Sequence, residues 1–188
     1  MTLYDLPVGW VWMTLGELAD VRGGVTKGRD LSRHKTVEVP YLRVANVQSG
    51  YLDLSVVKTI RVKADEVQRY ALQPGDVLFT EGGDRDKLGR GAVWNGEIEG
   101  CTHQNHIFRA RLRTRDVKPQ WVSFAGRLPY ARAYFDSVAR QTVNLASINA
   151  TNLRAFPIPV PPIREQRRIL ARVEGLYKQS QTARDALE

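Results

Sequence analysis

The stretch PIPVPPIREQRRILARVEGL, residues 157–176, joins a short proline-bounded strand directly to a charged helix. Pro161 and Pro162 cannot extend a strand ladder, but proline suits the first turn of a helix, where the helix dipole also favours Glu165. The sequence therefore predicts a rigid joint. A globular domain of residues 1–160 precedes it, and a long helix over residues 161–188 follows it.

Small and apolar residues recur along this helix at intervals of four and three residues, the spacing of a coiled-coil seam. From this stripe we expect a helix interface formed by Ile169, Val173, Leu176, Ala183 and Leu187. A helix of about 25 residues spans about 37 Å, which is longer than a domain of this size needs to cover its own core. The alternative is that the stripe packs against the chain's own core.

Short β segments separated by Gly, Asn and Asp turns dominate residues 15–113. The segment VEVPYLRVANV, residues 37–47, is predicted to be a strand. In HIFRARLR, the alternation predicts a strand of a half-buried antiparallel sheet that carries Arg109 and Arg111. These arginines form either a solvated face or part of a functional surface.

After Pro119 the apolar spacing becomes helical, and Pro129 predicts a kink or a break in that helical region. Residues 142–156 have the Asn and Ser density of a structured loop before the last strand. The whole pattern predicts an α+β fold, in which a strand-rich globular domain is followed by a long C-terminal helix of the coiled-coil type.

The composition limits the class of protein. The 188 residues are 43% hydrophobic and 26% charged, which are ordinary values for a folded globular chain. The formal net charge of +8 favours polyanionic partners. Cys101 is the only cysteine, which excludes an internal disulfide and fits a reducing cytosol. No run of about 18 apolar residues occurs, so we expect a cytoplasmic protein that does not enter the membrane.

The sequence offers little that could carry out catalysis. His103 and His106 lack cysteine or acidic partners at the spacing of a metal site. The glycine-rich run of residues 82–91 lacks the Lys-Ser/Thr end of a phosphate-binding loop. A nuclease would need clustered carboxylates beside a lysine, and Asp116-Val117-Lys118 is an isolated triplet. We therefore expect no catalytic residue, no bound metal and no cofactor in this chain.

Three loops have the composition of a surface that reads a DNA groove: RGGVTKGRD (residues 22–30), GGDRDKLGRG (82–91) and THQNH (102–106). Arginine and lysine bind phosphates or guanine edges, while Asn and Gln read adenine. The candidate DNA-binding residues are Arg22, Lys27, Arg29, Arg85, Lys87, Arg90, Gln104 and Asn105. For any single loop, an ordinary solvated hairpin tip is the alternative.

Five segments of the chain together resemble the specificity subunit of type I restriction-modification systems, the S subunit. They are LPVGWVWMTLGELADVRGGVTKG (residues 6–28), VPYLRVANVQSGYLDLSVVKTI (39–60), LQPGDVLFTEGGDRDKLGRGAVW (72–94), HQNHIFRARLR (103–113) and PIPVPPIREQRRIL (157–170). The resemblance covers nearly the whole chain. Its most specific part is the proline-rich strand followed by Glu-Gln-Arg-Arg-Ile.

The resemblance implies that residues 1–160 are one target recognition domain, which reads one half of a bipartite double-stranded DNA site. The helix would be a conserved spacer and a platform for the adenine methyltransferase subunit, which uses S-adenosylmethionine. The restriction subunit would join through the complex. A full S subunit carries two such domains and two such helices, whereas this chain carries one set. It is therefore either a half subunit that pairs with itself through the helix or a fragment.

The resulting prediction is a non-catalytic subunit that recognises a DNA sequence and directs adenine methylation and restriction by its partners. One alternative from another class is a helical assembly adaptor whose globular part binds protein instead of DNA. A steep loss of duplex binding with added salt distinguishes the first from the second. A free-standing nuclease would instead cleave DNA when a metal is supplied.

Overall fold

The computed structural model describes residues 3–83, 88–141 and 146–185, which together form an α+β fold. Its strands are β1 (Val11–Thr14), β2 (Ala19–Gly23), β3 (Thr36–Leu42), β4 (Lys58–Lys63), β5 (Val77–Thr80), β6 (Gly82–Gly83), β7 (Gly91–Val93), β8 (Thr102–His103), β9 (Ile107–Leu112), β10 (Arg140–Gln141), β11 (Ala146–Ser147) and β12 (Pro157–Val160). Its α-helices are α1 (Leu15–Leu18), α2 (Val67–Tyr70), α3 (Pro119–Ala125), α4 (Pro129–Val138), α5 (Ala150–Arg154) and α6 (Ile163–Asp185). The predicted fold class is confirmed.

A central antiparallel sheet with the order β2-β9-β5-β7 separates two apolar clusters. Because side chains alternate along a strand, β5 sends Phe79 into the larger cluster and Leu78 into the smaller one. The larger cluster includes the buried aromatic residues Trp121 and Phe135 from α3 and α4. The smaller cluster includes Leu42 of a second sheet, in which β3 pairs antiparallel with β4 and parallel with β8.

The strand predicted over residues 37–47 ends earlier in the structure. β3 ends at Leu42, and Val44–Asn46 form a 3-10 turn. The buried Asn46 side chain closes this turn, because its Oδ1 accepts from the Arg43 amide at 2.8 Å and its Nδ2 donates to the Asp53 carbonyl at 2.8 Å. Extending the strand to residue 47 was wrong because a side-chain amide replaces the ladder hydrogen bonds at this point.

The predicted interruption at Pro129 is confirmed, since this proline occupies the first turn of α4 after α3 has ended. The prediction of a loop over residues 142–156 was wrong at Ala150–Arg154, which form α5, and residues 142–145 lie outside the described residues. Asn149 caps this short helix, because its Oδ1 accepts from the Asn152 backbone amide at 2.8 Å. In turn, Asn152 Oδ1 accepts from the Asn149 backbone amide. Within residues 3–83, 88–141 and 146–185, no helix has the length and apolarity to cross a membrane.

The joint between β12 and α6 is held by polar contacts. Strand β12 pairs with β1, and the Trp10 indole donates to the Glu165 carboxylate at 3.1 Å. Gln166 is fully buried, and its Oε1 accepts from the Lys118 amide at 2.9 Å. Its Nε2 donates to the carbonyls of Asp116 and Pro161 at 2.9 and 2.8 Å. These bonds fix the direction in which the helix leaves the globular body.

Helix α6 contains 23 residues and spans about 34 Å. The predicted stripe divides along its length, because Ile169 packs against the larger cluster whereas Leu176 is 48% exposed. Val173 is half-buried and Ala183 is exposed, while Leu187 lies outside the described residues. The core therefore takes up the start of the stripe, and the coiled coil remains a prediction for the exposed remainder.

Candidate nucleic-acid interface

The loop after β2 and the turn after β8 lie side by side. The Val25 amide donates to the His103 carbonyl at 2.8 Å, and the Asn105 amide donates to the Val25 carbonyl at 3.0 Å. At Gly24 an added Cβ would lie 1.9 Å from the His103 carbonyl oxygen, so only glycine allows this approach. The structure thus brings together two of the three loops that the sequence singled out.

The third loop begins beside the same turn. The Glu81 amide donates to the His106 carbonyl at 2.9 Å, and the Glu81 carboxylate contacts the His106 ring. The register explains this convergence, since Gly23 of β2 and Phe79 of β5 both pair with Phe108 of β9. Residues 24–30, 81–83, 88–90 and 104–106 therefore lie at the same end of the central sheet. We call this surface the loop face.

The predicted residues occupy different environments on the loop face. Arg22 and Lys27 are exposed, and Gln104 and Asn105 are half-buried on the turn. Arg29 donates to the Glu66 carboxylate at 2.8 Å. Arg90, Arg85 and Lys87 belong to the third loop; Arg90 donates to Gln48 Oε1 at 3.2 Å, whereas Arg85 and Lys87 lie outside the described residues.

Charged side chains form a row on the sheet face below these loops. Arg109 is 4% exposed, and its Nη2 donates to Asp20 Oδ2 at 3.0 Å. Its Nη1 lies 4.0 Å from Asp76 Oδ1, and Arg111 forms a bidentate pair with Asp76. The alternative of a solvated arginine face is therefore wrong for Arg109. A buried guanidinium is tolerated here because carboxylates lie on both sides of it.

Asp20 also links this buried row to the surface. Arg22 Nε lies 2.8 Å from Asp20 Oδ2, the same oxygen that Arg109 contacts. Burial by itself raises the pKa of Asp20, but the Arg109 hydrogen bond and the Arg22 charge outweigh burial, so the pKa lies below its ordinary value. Asp20 therefore links the buried Arg109 to the exposed Arg22 beside the loop face.

His103 is buried beside this row. Burial, followed by the charge of Arg109, lowers the pKa of the His103 imidazole to about 4. The ring is therefore neutral at physiological pH, which avoids a second buried cation beside Arg109. In the described parts of the chain, no group of three or more His, Cys, Asp or Glu side chains is arranged to hold a metal ion.

The candidate DNA-binding residues chosen from the sequence did not include Asp20, Glu81, His106 or Arg109, although a functional surface remained one of two alternatives for Arg109. The sequence carried a signal for two of them. Asp20 and Arg109 are charged residues, and each stands between small or apolar neighbours in a strand. Glu81 and His106 had no such signal. Their proximity depends on the pairing of β5 with β9, which is not a local property of the sequence.

Comparison with known families identifies a match over almost the whole chain. The family model described as the type I restriction modification DNA specificity domain matches residues 7–187. The putative type I restriction enzyme MjaX specificity subunit of Methanocaldococcus jannaschii is 25% identical, over 88% of this chain and 39% of that protein. The EcoKI specificity subunit of Escherichia coli strain K12 is 28% identical, over 88% of this chain and 35% of that protein.

Solved structures share the fold. The HsdS subunit from Thermoanaerobacter tengcongensis superposes with a TM-score of 0.69 at 20% identity, over 96% of this chain and 45% of that chain. A structure described in terms of complex assembly and conformational transition of the type I R-M system also gives 0.69, at 22% identity. The present chain thus spans less than half the length of each of these relatives.

Proposed function

This chain belongs to the type I restriction modification DNA specificity domain family, and from that premise we propose that it recognises one half of a bipartite DNA site. In this proposal it directs adenine methylation and restriction that its partner subunits carry out. The observation that carries the proposal is the loop face, where three loops converge at one end of the central sheet. A net charge of +8 supports binding to a polyanion.

The loop face supplies two kinds of contact. Lys27 and Arg22 are exposed and suit phosphate oxygens, which position the protein without reading sequence. Gln104 and Asn105 carry amides that suit the edge of adenine in the major groove. Backbone hydrogen bonds through Val25 hold the turn in place, so little ordering is needed on binding. Arg29 must leave Glu66 to reach DNA.

The exposed part of α6 suits association with other subunits. Leu176 and Tyr177 are 48% and 61% exposed on a helix that continues to Asp185. We assign this surface to the methyltransferase subunit, which would bind S-adenosylmethionine, or to α6 of a second copy. The restriction subunit would join through that complex. Catalysis in this proposal belongs to the partners, and the chain supplies the sequence preference.

A homodimer has a specific consequence for the DNA target. The chain spans 35% to 39% of two full specificity subunits, so one copy accounts for one recognition domain. Two copies related by a twofold axis present identical loop faces to two half-sites. The target is then palindromic, with a spacer whose length the helices set.

The test is a methylome. The chain is co-expressed with the methyltransferase subunit of its own host, and N6-methyladenine is read across the genome by long-read sequencing. The methyltransferase subunit alone is the control. We expect methylation that depends on this chain, at a palindromic motif with two specified half-sites.

Other outcomes separate the alternatives. A chain-dependent motif with unlike half-sites would rule out the homodimer and retain DNA recognition. A soluble complex without chain-dependent methylation, together with duplex binding that does not respond to salt, would replace the proposal with an assembly adaptor that binds protein.

A further inference from the structure

We propose that Glu81 determines sequence specificity by accepting a hydrogen bond from an exocyclic amino group on a base edge, and that His106 positions its carboxylate. This inference rests on the proposed function. It is carried by the placement of the Glu81–His106 pair on the loop face, among the segments that converge there.

The backbone of Glu81 is fixed on both sides. Its amide donates to the His106 carbonyl at 2.9 Å, and its carbonyl accepts from the Ile148 amide at 2.8 Å. It lies between the end of β5 at Thr80 and β6, which pairs with β11. The side chain therefore projects from a rigid position, as a group that reads bases requires.

The carboxylate remains at the surface. Glu81 Oε2 and His106 Nδ1 are 2.5 Å apart, and the two side chains are 30% and 55% exposed. A contact between two exposed polar side chains contributes little to stability, whereas a buried one can be essential to the fold. His106 also belongs to the same turn as Gln104 and Asn105. The pair is therefore placed to meet a ligand that docks on this turn.

An acid on a surface that meets DNA is unfavourable unless it finds a donor, because phosphates repel it. In the major groove the donors are the amino groups of cytosine and adenine, and Glu characteristically accepts from cytosine N4. An ionised carboxylate has no proton to donate and therefore disfavours guanine O6 and thymine O4. We therefore expect Glu81 to select cytosine at one position of the half-site.

His106 acts on this choice through Glu81. With Nδ1 beside Oε2, the imidazole fixes the side-chain rotamer of the acid before DNA arrives. The incoming amino group then takes the place of the ring or binds the other carboxylate oxygen. On this basis His106 is a positioning residue, and its loss should broaden the preference at the same base position without changing which base is preferred.

The experiment compares the methylated motifs of the wild type and Glu81→Gln, each in the complex with the methyltransferase subunit. Glutamine has both a donor and an acceptor and reads adenine, so we expect the relative use of adenine over cytosine at one position to rise about tenfold. Glu99→Gln is the matched control. Glu99 is exposed and precedes β8, whereas the turn follows β8, so this variant removes the same charge away from the loop face.

Two further variants keep the inference testable if Glu81→Gln does not fold. Glu81→Asp retains the charge on a shorter arm, and His106→Gln removes the positioning ring. Both should weaken the preference at the same position and retain the preferred base. Unchanged motifs in folded Glu81 and His106 variants, with a lower melting temperature only, would overturn the inference. Failure of the wild type itself to direct methylation would contradict the proposed function instead.

Discussion

Single residues account for the chemistry of the loop face and of the layer beneath it. Arg109 is a buried cation whose Asp20 partner also holds the exposed Arg22. His103 lies beside Arg109 and remains neutral, since burial and the nearby charge lower its pKa to about 4. The electrostatics of this layer therefore depend on His103 remaining unprotonated, which makes the fold sensitive to acid.

We predict that His103→Asn reduces the pH dependence of stability between pH 7 and pH 5. In this range an unfolded chain protonates His103 at its ordinary pKa of 6.5, whereas the folded chain does not, so acidification favours unfolding. Wild-type protein should lose roughly 2 kcal/mol of unfolding free energy from this group. Urea denaturation at both pH values measures the difference. Equal losses in the wild type and the variant would contradict the assignment.

We also predict that Lys27→Ala weakens duplex binding without altering sequence preference. Removing one phosphate contact should reduce the slope of log affinity against log salt by about one. Lys35→Ala is the control, because Lys35 is exposed at the opposite end of β3 from the loop face. A titration of binding against salt concentration provides the measurement, and equal slopes for all three proteins would exclude Lys27 from the interface.

At the scale of elements, local pattern explains what could be predicted from the sequence. Alternating and helical spacing correctly indicated the main strands and the break at Pro129. The errors occurred where an asparagine side chain takes over backbone bonds, at Asn46 and at Asn149. The alternation in β9 was equally compatible with a solvated or a buried Arg109, because periodicity assigns a face but not its environment.

The convergence of the loops could not be predicted in the same way. Composition indicated three candidate loops, but their meeting depends on the pairing of Gly23 and Phe79 with Phe108. These contacts join strands that are far apart in the sequence, so no local signal encodes them. The same reason explains why the joint was recognised from its prolines while the role of Gln166 was not.

We predict that Gln166→Leu destabilises the joint by about 3 kcal/mol. The change leaves the buried Lys118 amide and two carbonyls without their partner, and unsatisfied buried groups are costly. Chemical denaturation of the whole chain measures this loss of unfolding free energy. Arg167→Leu, on the exposed neighbour, should change stability by less than about 0.5 kcal/mol. Similar losses in both variants would show that Gln166 has no special role.

At the scale of the whole molecule, the two surfaces to which we assign a function lie apart. The loop face lies at one end of the central sheet, and α6 carries exposed apolar side chains away from the globular body. A groove of about 610 Å³ runs between α6 and the body and is lined by Tyr51, Val173 and Tyr177 among others. The proposed recognition surface and the proposed assembly surface are therefore separate parts of one chain.

We predict that Leu176→Asp abolishes self-association or methyltransferase binding while the chain stays folded. Leu176 is 48% exposed, so the free chain accommodates the charge with a change below about 0.5 kcal/mol, whereas a buried helix interface does not. Light scattering and co-elution with the methyltransferase subunit report association. Ala171→Asp adds the same charge on another side of α6 and should associate normally. Global unfolding of Leu176→Asp would mean that this part of the helix belongs to the core.

Strand β9 begins at the turn that carries Gln104 and ends before residues 116–118, where Gln166 is clamped. One six-residue strand thus separates the turn that we propose to contact DNA from the joint that fixes the proposed assembly helix. The turn and the clamp are therefore joined to opposite ends of β9. In the proposed function, the loops can therefore change and recognise new DNA targets while the surface of α6 that binds the partner subunits stays the same.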